Sequence, residues 1–246
     1  MTIRLLPSQA SCLLWQIDLD EAPAPAALAL LSPEEQARAQ RFVFERDARR
    51  FIAAHVALRK ILGKQAGMDG KPLHLVEGHF GKPAVAGLAG LHFNLSHSQG
   101  VGLIALSRTF EVGVDVEVLR PMPDALSLAQ AHFTHAECAA LAALPEAMRE
   151  RAFFTCWTRK EACLKALGVG LQLSPASFEV GVAPVARMVN LATPEGMVRL
   201  ALDSFSGLFD HGAQTMVFSL ARRMVEPRGS LAAPAGRRHA VAEACA

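Results

Sequence analysis

Val112 to Val118 reads VGVDVEV. The valines recur at every second position, so in a strand they share one face and Gly113, Asp115 and Glu117 share the other. Two carboxylates then stand side by side, their α-carbons roughly 6.5–7 Å apart. Carboxylates that close repel unless water, a proton or a cation intervenes. A hard cation such as Mg²⁺ takes oxygen ligands, few of them carboxylates, and leaves the other positions to water and substrate phosphates. A half-exposed strand with a polar face is the simpler account, and this stretch alone does not choose between them.

Three further stretches bear on that choice. WTRKEACLK, Trp157 to Lys165, lies in a helical pattern whose apolar side holds Phe153, Phe154, Trp157, Leu164 and Leu167. Glu161 and Lys165 are four apart and share a face, as any surface Glu–Lys pair does. Facing the Asp115/Glu117 strand, they would add a third carboxylate and a charge-stabilising lysine to a metal–phosphate site. FNLSHS, Phe93 to Ser98, follows a GKP at Gly81 to Pro83. Read as a polar turn it is unremarked; read as a site, its Asn, Ser and His placed after a strand are donors for phosphate oxygens, with Lys82 as an added cation. No nucleophile elbow surrounds Ser96, which sets a serine hydrolase aside. RAQRFVFERDARR carries Arg38, Arg41, Arg46, Arg49 and Arg50. This is either a solvated helix face or a surface for an anionic ligand, since guanidinium forks match phosphate geometry.

Composition narrows the class. The chain has 246 residues, is 51% hydrophobic and carries a formal charge of +2. It can bury a sizeable core, as one domain or two small lobes. Near-balanced charge argues against bulk nucleic-acid binding. Five scattered cysteines without a C-x-x-C pair suggest neither zinc nor a disulfide framework. The N-terminus lacks a signal-peptide pattern and no apolar run reaches a membrane span. A cytoplasmic protein is expected.

The elements that must position these groups follow from local signals. Residues 11–18 read as a strand and the Ala/Pro-rich 22–31 as a connector. Ser32-Pro33-Glu34-Glu35 is an N-cap, a first-turn proline and a capping box, so a helix starts there. A second helix spans about 47–62. Strands are expected at 73–77, 91–95, 101–107 and 112–118, helices at 124–131, 135–144 and 147–167, and strands at 177–182, 197–203 and 214–221. Val225 onward has no period and is expected to be disordered. The order strand, helices, strands occurs twice, which predicts an α+β chain of two lobes, 1–110 and 111–224, with a tail from 225 to 246.

Taken together, the four stretches resemble the 4′-phosphopantetheinyl transferase superfamily, in its two-lobed, surfactin-synthetase-activating form. FNLSHS matches F-N-x-S-H-S, GVDVE matches G-[IV]-D-x-E, and WTRKEACLK matches W-x-x-K-E-[AS]-x-x-K, in the family's order and at its spacing. The likeness covers roughly residues 30 to 180. It implies two similar α/β lobes in a pseudo-twofold arrangement, with coenzyme A in the cleft between them. The implied reaction moves the 4′-phosphopantetheine arm of coenzyme A to a serine of an acyl, polyketide or peptidyl carrier protein, releasing adenosine 3′,5′-bisphosphate. Carried over by position, Asp115, Glu117 and Glu161 would hold Mg²⁺. Glu161 or Lys165 (or a metal-bound water) would handle the serine proton. Lys82, Ser96, His97, Arg38, Arg50 and Lys160 would bind coenzyme A. Glu137 falls on a family acidic position, though Thr134-x-x-Glu137 is equally a capping box. Neither nucleic acid nor membrane is implied, and the enzyme would act as a monomer. Two rivals stand beside this reading: a non-catalytic coenzyme A- or carrier-binding module, and an unrelated Mg²⁺-dependent phosphohydrolase.

Overall fold

The computed structural model describes residues 1–9, 11–69, 73–78, 81–209 and 214–224. The tail expected to be disordered lies outside them. The first unit runs β1 (Ile3–Leu5), β2 (Leu13–Asp18), α1 (Pro33–Ala39), α2 (Glu45–Gln65), β3 (Leu75–Glu77), β4 (Pro83–Val85), β5 (His92–Ser98) and β6 (Val101–Ser107). The second runs β7 (Val112–Val118), α3 (Ala125–His132), α4 (His135–Ala143), α5 (Glu146–Leu167), β8 (Arg187–Thr193), β9 (Gly196–Phe209) and β10 (Gln214–Arg223).

Local chemistry sets the helix starts. Ser32 Oγ accepts from the Glu35 N–H at 3.2 Å while Glu35 Oε2 accepts from the Ser32 N–H at 2.9 Å, so the predicted capping box closes α1. The same box forms at Thr134 and Glu137 for α4. Gly168, at φ 70°, ends α5 in the left-handed conformation that glycine adopts without strain.

Two antiparallel sheets, ordered β1-β2-β6-β5 and β7-β10-β9-β8, form the middle layers. Each contains the same βαββ unit. In the first, β2 pairs with the last strand β6 and β5 lies outside; in the second, β7 pairs with β10 and β9 lies outside. The element order therefore does reflect a repeated topology. The inner faces meet through Leu14, Leu103 and Ala105 on one side and Val112, Val114, Val116 and Leu220 on the other. Helix α2 covers the outer face of the first sheet and α5 that of the second. Cys12, Cys138, Cys156 and Cys163 are free thiols. No helix among the described residues is long and apolar enough to cross a membrane.

Several expected elements change. Residues 25–30 form a 3-10 helix rather than a plain connector, and Ala27 and Leu31 bury against Val56 of α2. FNLSHS is not a turn after a strand but the strand β5 itself. Residues 177–182 are not a strand. Phe178 and Val180 do alternate into the core, but among the described residues no strand pairs with them, and the N–H groups of Val180 and Gly181 donate to a glutamate instead. β8, which sequence reading passed over, supplies the sheet edge, and β9 continues to Phe209 because it pairs along its length with both β8 and β10.

Candidate active site

β5 and β7 lie side by side as the edges of the two sheets, running parallel. Side chains, not a backbone ladder, join them. Asn94 Oδ1 accepts from the Val114 N–H at 2.9 Å, and Ser98 Oγ accepts from the Val118 N–H at 3.3 Å. Ser96 Oγ donates to Asp115 Oδ1 at 2.7 Å and Ser98 Oγ donates to Glu117 Oε2 at 2.8 Å. The S-x-S of one strand thus faces the D-x-E of the next, since both alternate with period two. This match was legible in principle, but only once the two stretches were known to be neighbouring strands.

The valine face of β7 turns to the core between the sheets, and its other face turns to α5. Gly113 makes that approach possible. A Cβ there would lie 2.1 Å from the Ala162 carbonyl oxygen and 2.3 Å from the Ala166 nitrogen. With no side chain in the way, helix and strand meet backbone to backbone. Lys165 Nζ then reaches Asp115 Oδ1 at 2.5 Å and Ser96 Oγ at 3.0 Å. Glu161, one turn earlier and half-buried, lines the same cavity of about 320 Å³ as Lys165, Asn94 and Lys82.

The electrostatics follow from the packing. Burial outweighs the pull of Lys165 and Ser96 and, with a smaller repulsion from Glu161, brings the Asp115 carboxyl up to about 6. Glu117 is held by Arg120 Nη1 at 2.8 Å as well as by Ser98. Among the described residues no three acidic, His or Cys side chains are drawn together as a ready-made metal cluster. Lys165 stands against Asp115, where repulsion between the carboxylates would otherwise be greatest. The donor set still suits a hard cation. Ser96 and Lys165 both engage Oδ1 of Asp115, and Ser98 and Arg120 both engage Oε2 of Glu117. The second oxygen of each, and both oxygens of Glu161, have no hydrogen bond among the described residues. Carboxylate oxygens of this kind are the ligands an oxygen-preferring ion takes.

A cationic arc leads away from this point. His97 is exposed at the end of β5, and its pKa is lowered by partial desolvation and by the charges of Lys165, His55 and Arg50. Arg50 forms a two-pronged pair with Asp20 at 2.6 and 2.8 Å. Arg38 lies 5.3 Å over the Phe51 ring and lines a cavity of about 950 Å³ with Arg41, His55 and Arg59. Gly81 and Pro83 border both cavities, which therefore lie next to each other.

Two lysines are engaged otherwise than the motif order suggests. Lys160 is 1% exposed and does not face the cleft. Its Nζ pairs with Glu137 Oε2 at 2.7 Å and donates to the carbonyls of Pro175 and Phe178, both at 2.7 Å. Adjacent helix residues point about 100° apart, so Glu161 can face β7 while Lys160 faces α4. Glu137 is both capping-box residue and buried counter-ion, and its Oε1 accepts from Val180 and Gly181. Breaking such a buried pair from one side leaves an uncompensated charge. Lys160→Met and Glu137→Gln should each lose about 3–5 kcal/mol of stability, with the double variant losing less than the sum, as urea unfolding will read. Lys82 borders the cleft, but its ammonium is engaged by Glu111 and two backbone carbonyls. Trp157 packs on Phe153 and His132.

A repeated βαββ chain thus carries a carboxylate–lysine seam between its sheets and an arginine-lined cavity close by. Comparison with known proteins shows what class of protein this is. Residues 111–200 match the 4′-phosphopantetheinyl transferase superfamily, and residues 15–108 match the 4′-phosphopantetheinyl transferase N-terminal family. The 4′-phosphopantetheinyl transferase HetI of Nostoc is 42% identical over 163 residues, 64% of this chain and 69% of that one. The 4′-phosphopantetheinyl transferase Sfp of Bacillus subtilis is 30% identical over 62% of this chain and 67% of its own. The rat L-aminoadipate-semialdehyde dehydrogenase-phosphopantetheinyl transferase is 26% identical over 74% of this chain and 63% of its own. The chain belongs to the 4′-phosphopantetheinyl transferase superfamily and is an enzyme of that class.

Proposed function

We propose that this enzyme transfers the 4′-phosphopantetheine arm of coenzyme A to a serine hydroxyl of an apo acyl, polyketide or peptidyl carrier protein, using Mg²⁺. The observation that supports it most is the β5–β7 seam, where Ser96 and Ser98 hold Asp115 and Glu117 and Lys165 pairs with Asp115, with Glu161 one helical turn before that lysine. In the reaction the serine oxygen bonds to the β-phosphorus of coenzyme A, and the bond from that phosphorus to its bridging oxygen breaks. Adenosine 3′,5′-bisphosphate leaves. Such transfers depend on positioning and on charge stabilisation. Asp115, Glu117 and Glu161 would hold the ion, which when bound neutralises charge on the pyrophosphate oxygens. Lys165, held as an ammonium between Asp115 and Ser96, adds a second positive charge beside the phosphate. Glu161 would take the serine proton. Ser96 acts through Asp115 and Lys165, while His97, Arg50 and Arg38 line the path for the nucleotide phosphates. The exposed Arg38, Arg41 and Arg46, before and at the start of α2, would steer an acidic carrier.

We further propose that residues 1–110 and 111–224 are its two lobes, that the cleft belongs to both, and that the enzyme works as a cytoplasmic monomer.

Two outcomes test this reading. Incubation with coenzyme A and Mg²⁺ should release adenosine 3′,5′-bisphosphate only when an apo carrier is present; release without one would mark a phosphohydrolase. Asp115 also predicts a pH dependence. Its folded pKa of about 6 lies above its ordinary value, so the folded state holds the proton more tightly. Without a divalent ion, its contribution to stability is full below about pH 4 and is lost as pH rises through about 6. Added Mg²⁺ should therefore raise the melting temperature far more at pH 7.5 than at pH 5, as differential scanning fluorimetry will show.

A further inference from the structure

We propose that Lys82 is a positioning residue that clamps the last turn of α5 to β7, and that Glu111 in turn holds Lys82. Every proton of the Lys82 ammonium is used. Nζ donates to Glu111 Oε2 at 2.5 Å, to the Val112 carbonyl at 3.0 Å and to the Ala166 carbonyl at 3.1 Å. Ala166 belongs to the last turn of α5, whose carbonyls have no partner within the helix and carry the negative end of its dipole. A lysine supplied from the first unit thus caps the helix that carries Glu161 and Lys165. The Lys82 stem lies on Gly168, where a Cβ would come within 3.2 Å of the lysine's Cβ and Cδ. Val112 immediately precedes Gly113, the point of backbone contact between β7 and α5. The clamp therefore closes on the junction that fixes Lys165 against Asp115, one residue from each side of it.

Glu111 completes the arrangement. Its second oxygen lies 2.8 Å from His92 Nδ1, so the carboxylate is fixed from two directions. An ammonium that gives three hydrogen bonds to protein has none left for a phosphate. This geometry assigns Lys82 to holding the helix, where motif position alone would assign it to coenzyme A.

The kinetic part of the test rests on the proposed transfer reaction; the stability part does not. Lys82→Met, Glu111→Gln and the double variant are compared with wild type in the full chain. Turnover at saturating coenzyme A should fall about 10- to 100-fold in Lys82→Met and about 3- to 10-fold in Glu111→Gln. The double variant should be no slower than Lys82→Met, and coenzyme A affinity by calorimetry should stay within about twofold throughout. A tenfold or greater loss of coenzyme A affinity in Lys82→Met, with Glu111→Gln like wild type, would show a direct phosphate contact and overturn the proposal. So would unchanged turnover in Lys82→Met. If Lys82→Met does not fold, Glu111→Gln decides alone, because its carboxylate is 36% exposed and its loss is tolerable; wild-type turnover in it overturns the clamp. If wild type itself transfers nothing, the functional reading fails, and the unfolding midpoints still decide: additive losses for the two positions exclude a shared clamp, and non-additive losses support it.

Discussion

Gly113→Ala is expected to lose about 3 kcal/mol or more of stability and to lower transfer at least about 100-fold. The cause is space, not backbone freedom. An alanine Cβ would lie 2.1 Å from the Ala162 oxygen, 2.3 Å from the Ala166 nitrogen and 2.8 Å from the Lys165 carbonyl carbon. All three are backbone atoms, so no rotamer change relieves the contact, and α5 must move away from β7. Movement of about 1 Å is enough to remove orders of magnitude from a reaction that depends on positioning. It also opens the Lys165–Asp115 pair, which is 2.5 Å long at present. Urea unfolding and single-turnover transfer measure the two effects. A variant with wild-type stability and rate would mean that the helix and strand do not meet as described.

Asp115→Asn is the second large effect, and it separates charge from shape. The amide fits the same volume and can still take a hydrogen bond from Ser96, so the fold should persist. What disappears is the negative charge that Lys165 pairs with and that a divalent ion would need. Transfer should fall about 1,000-fold, while the near-UV circular dichroism spectrum stays that of wild type. The pH-dependent stabilisation by Mg²⁺ should vanish with it. A variant that kept both activity and Mg²⁺ stabilisation would remove Asp115 from the site.

These two residues also show what could be read from sequence. VGVDVEV was legible because its alternation admits only one strand arrangement, valines inward and acids outward. Glu161 and Lys165 were legible as a pair because helix periodicity puts them on one face. What escaped depended on neighbours distant in the chain. FNLSHS resembles a turn while it is read alone; its serines make sense as strand residues only beside Asp115 and Glu117, 19 positions later. Lys160 adjoins Glu161 in the motif yet turns to a different face of the helix, where Glu137 meets it. Residues 177–182 have a strand's alternation but no strand to pair with among the described residues, and a glutamate side chain takes the N–H groups of Val180 and Gly181. For Lys82 there was no local signal: its partners are 29, 30 and 84 residues away.

The central claim is that the seam of Asp115, Glu117, Glu161 and Lys165 moves phosphopantetheine onto a carrier serine. Intact-protein mass spectrometry of apo carrier proteins, drawn from fatty-acid, polyketide and non-ribosomal peptide systems and incubated with the enzyme, coenzyme A and Mg²⁺, tests it most directly. The account predicts that at least one carrier gains the mass of a single phosphopantetheine arm, and that the gain disappears when the acceptor serine is alanine or the enzyme carries Asp115→Asn. No gain on any carrier, or an equal gain with the Asp115→Asn enzyme, would contradict it.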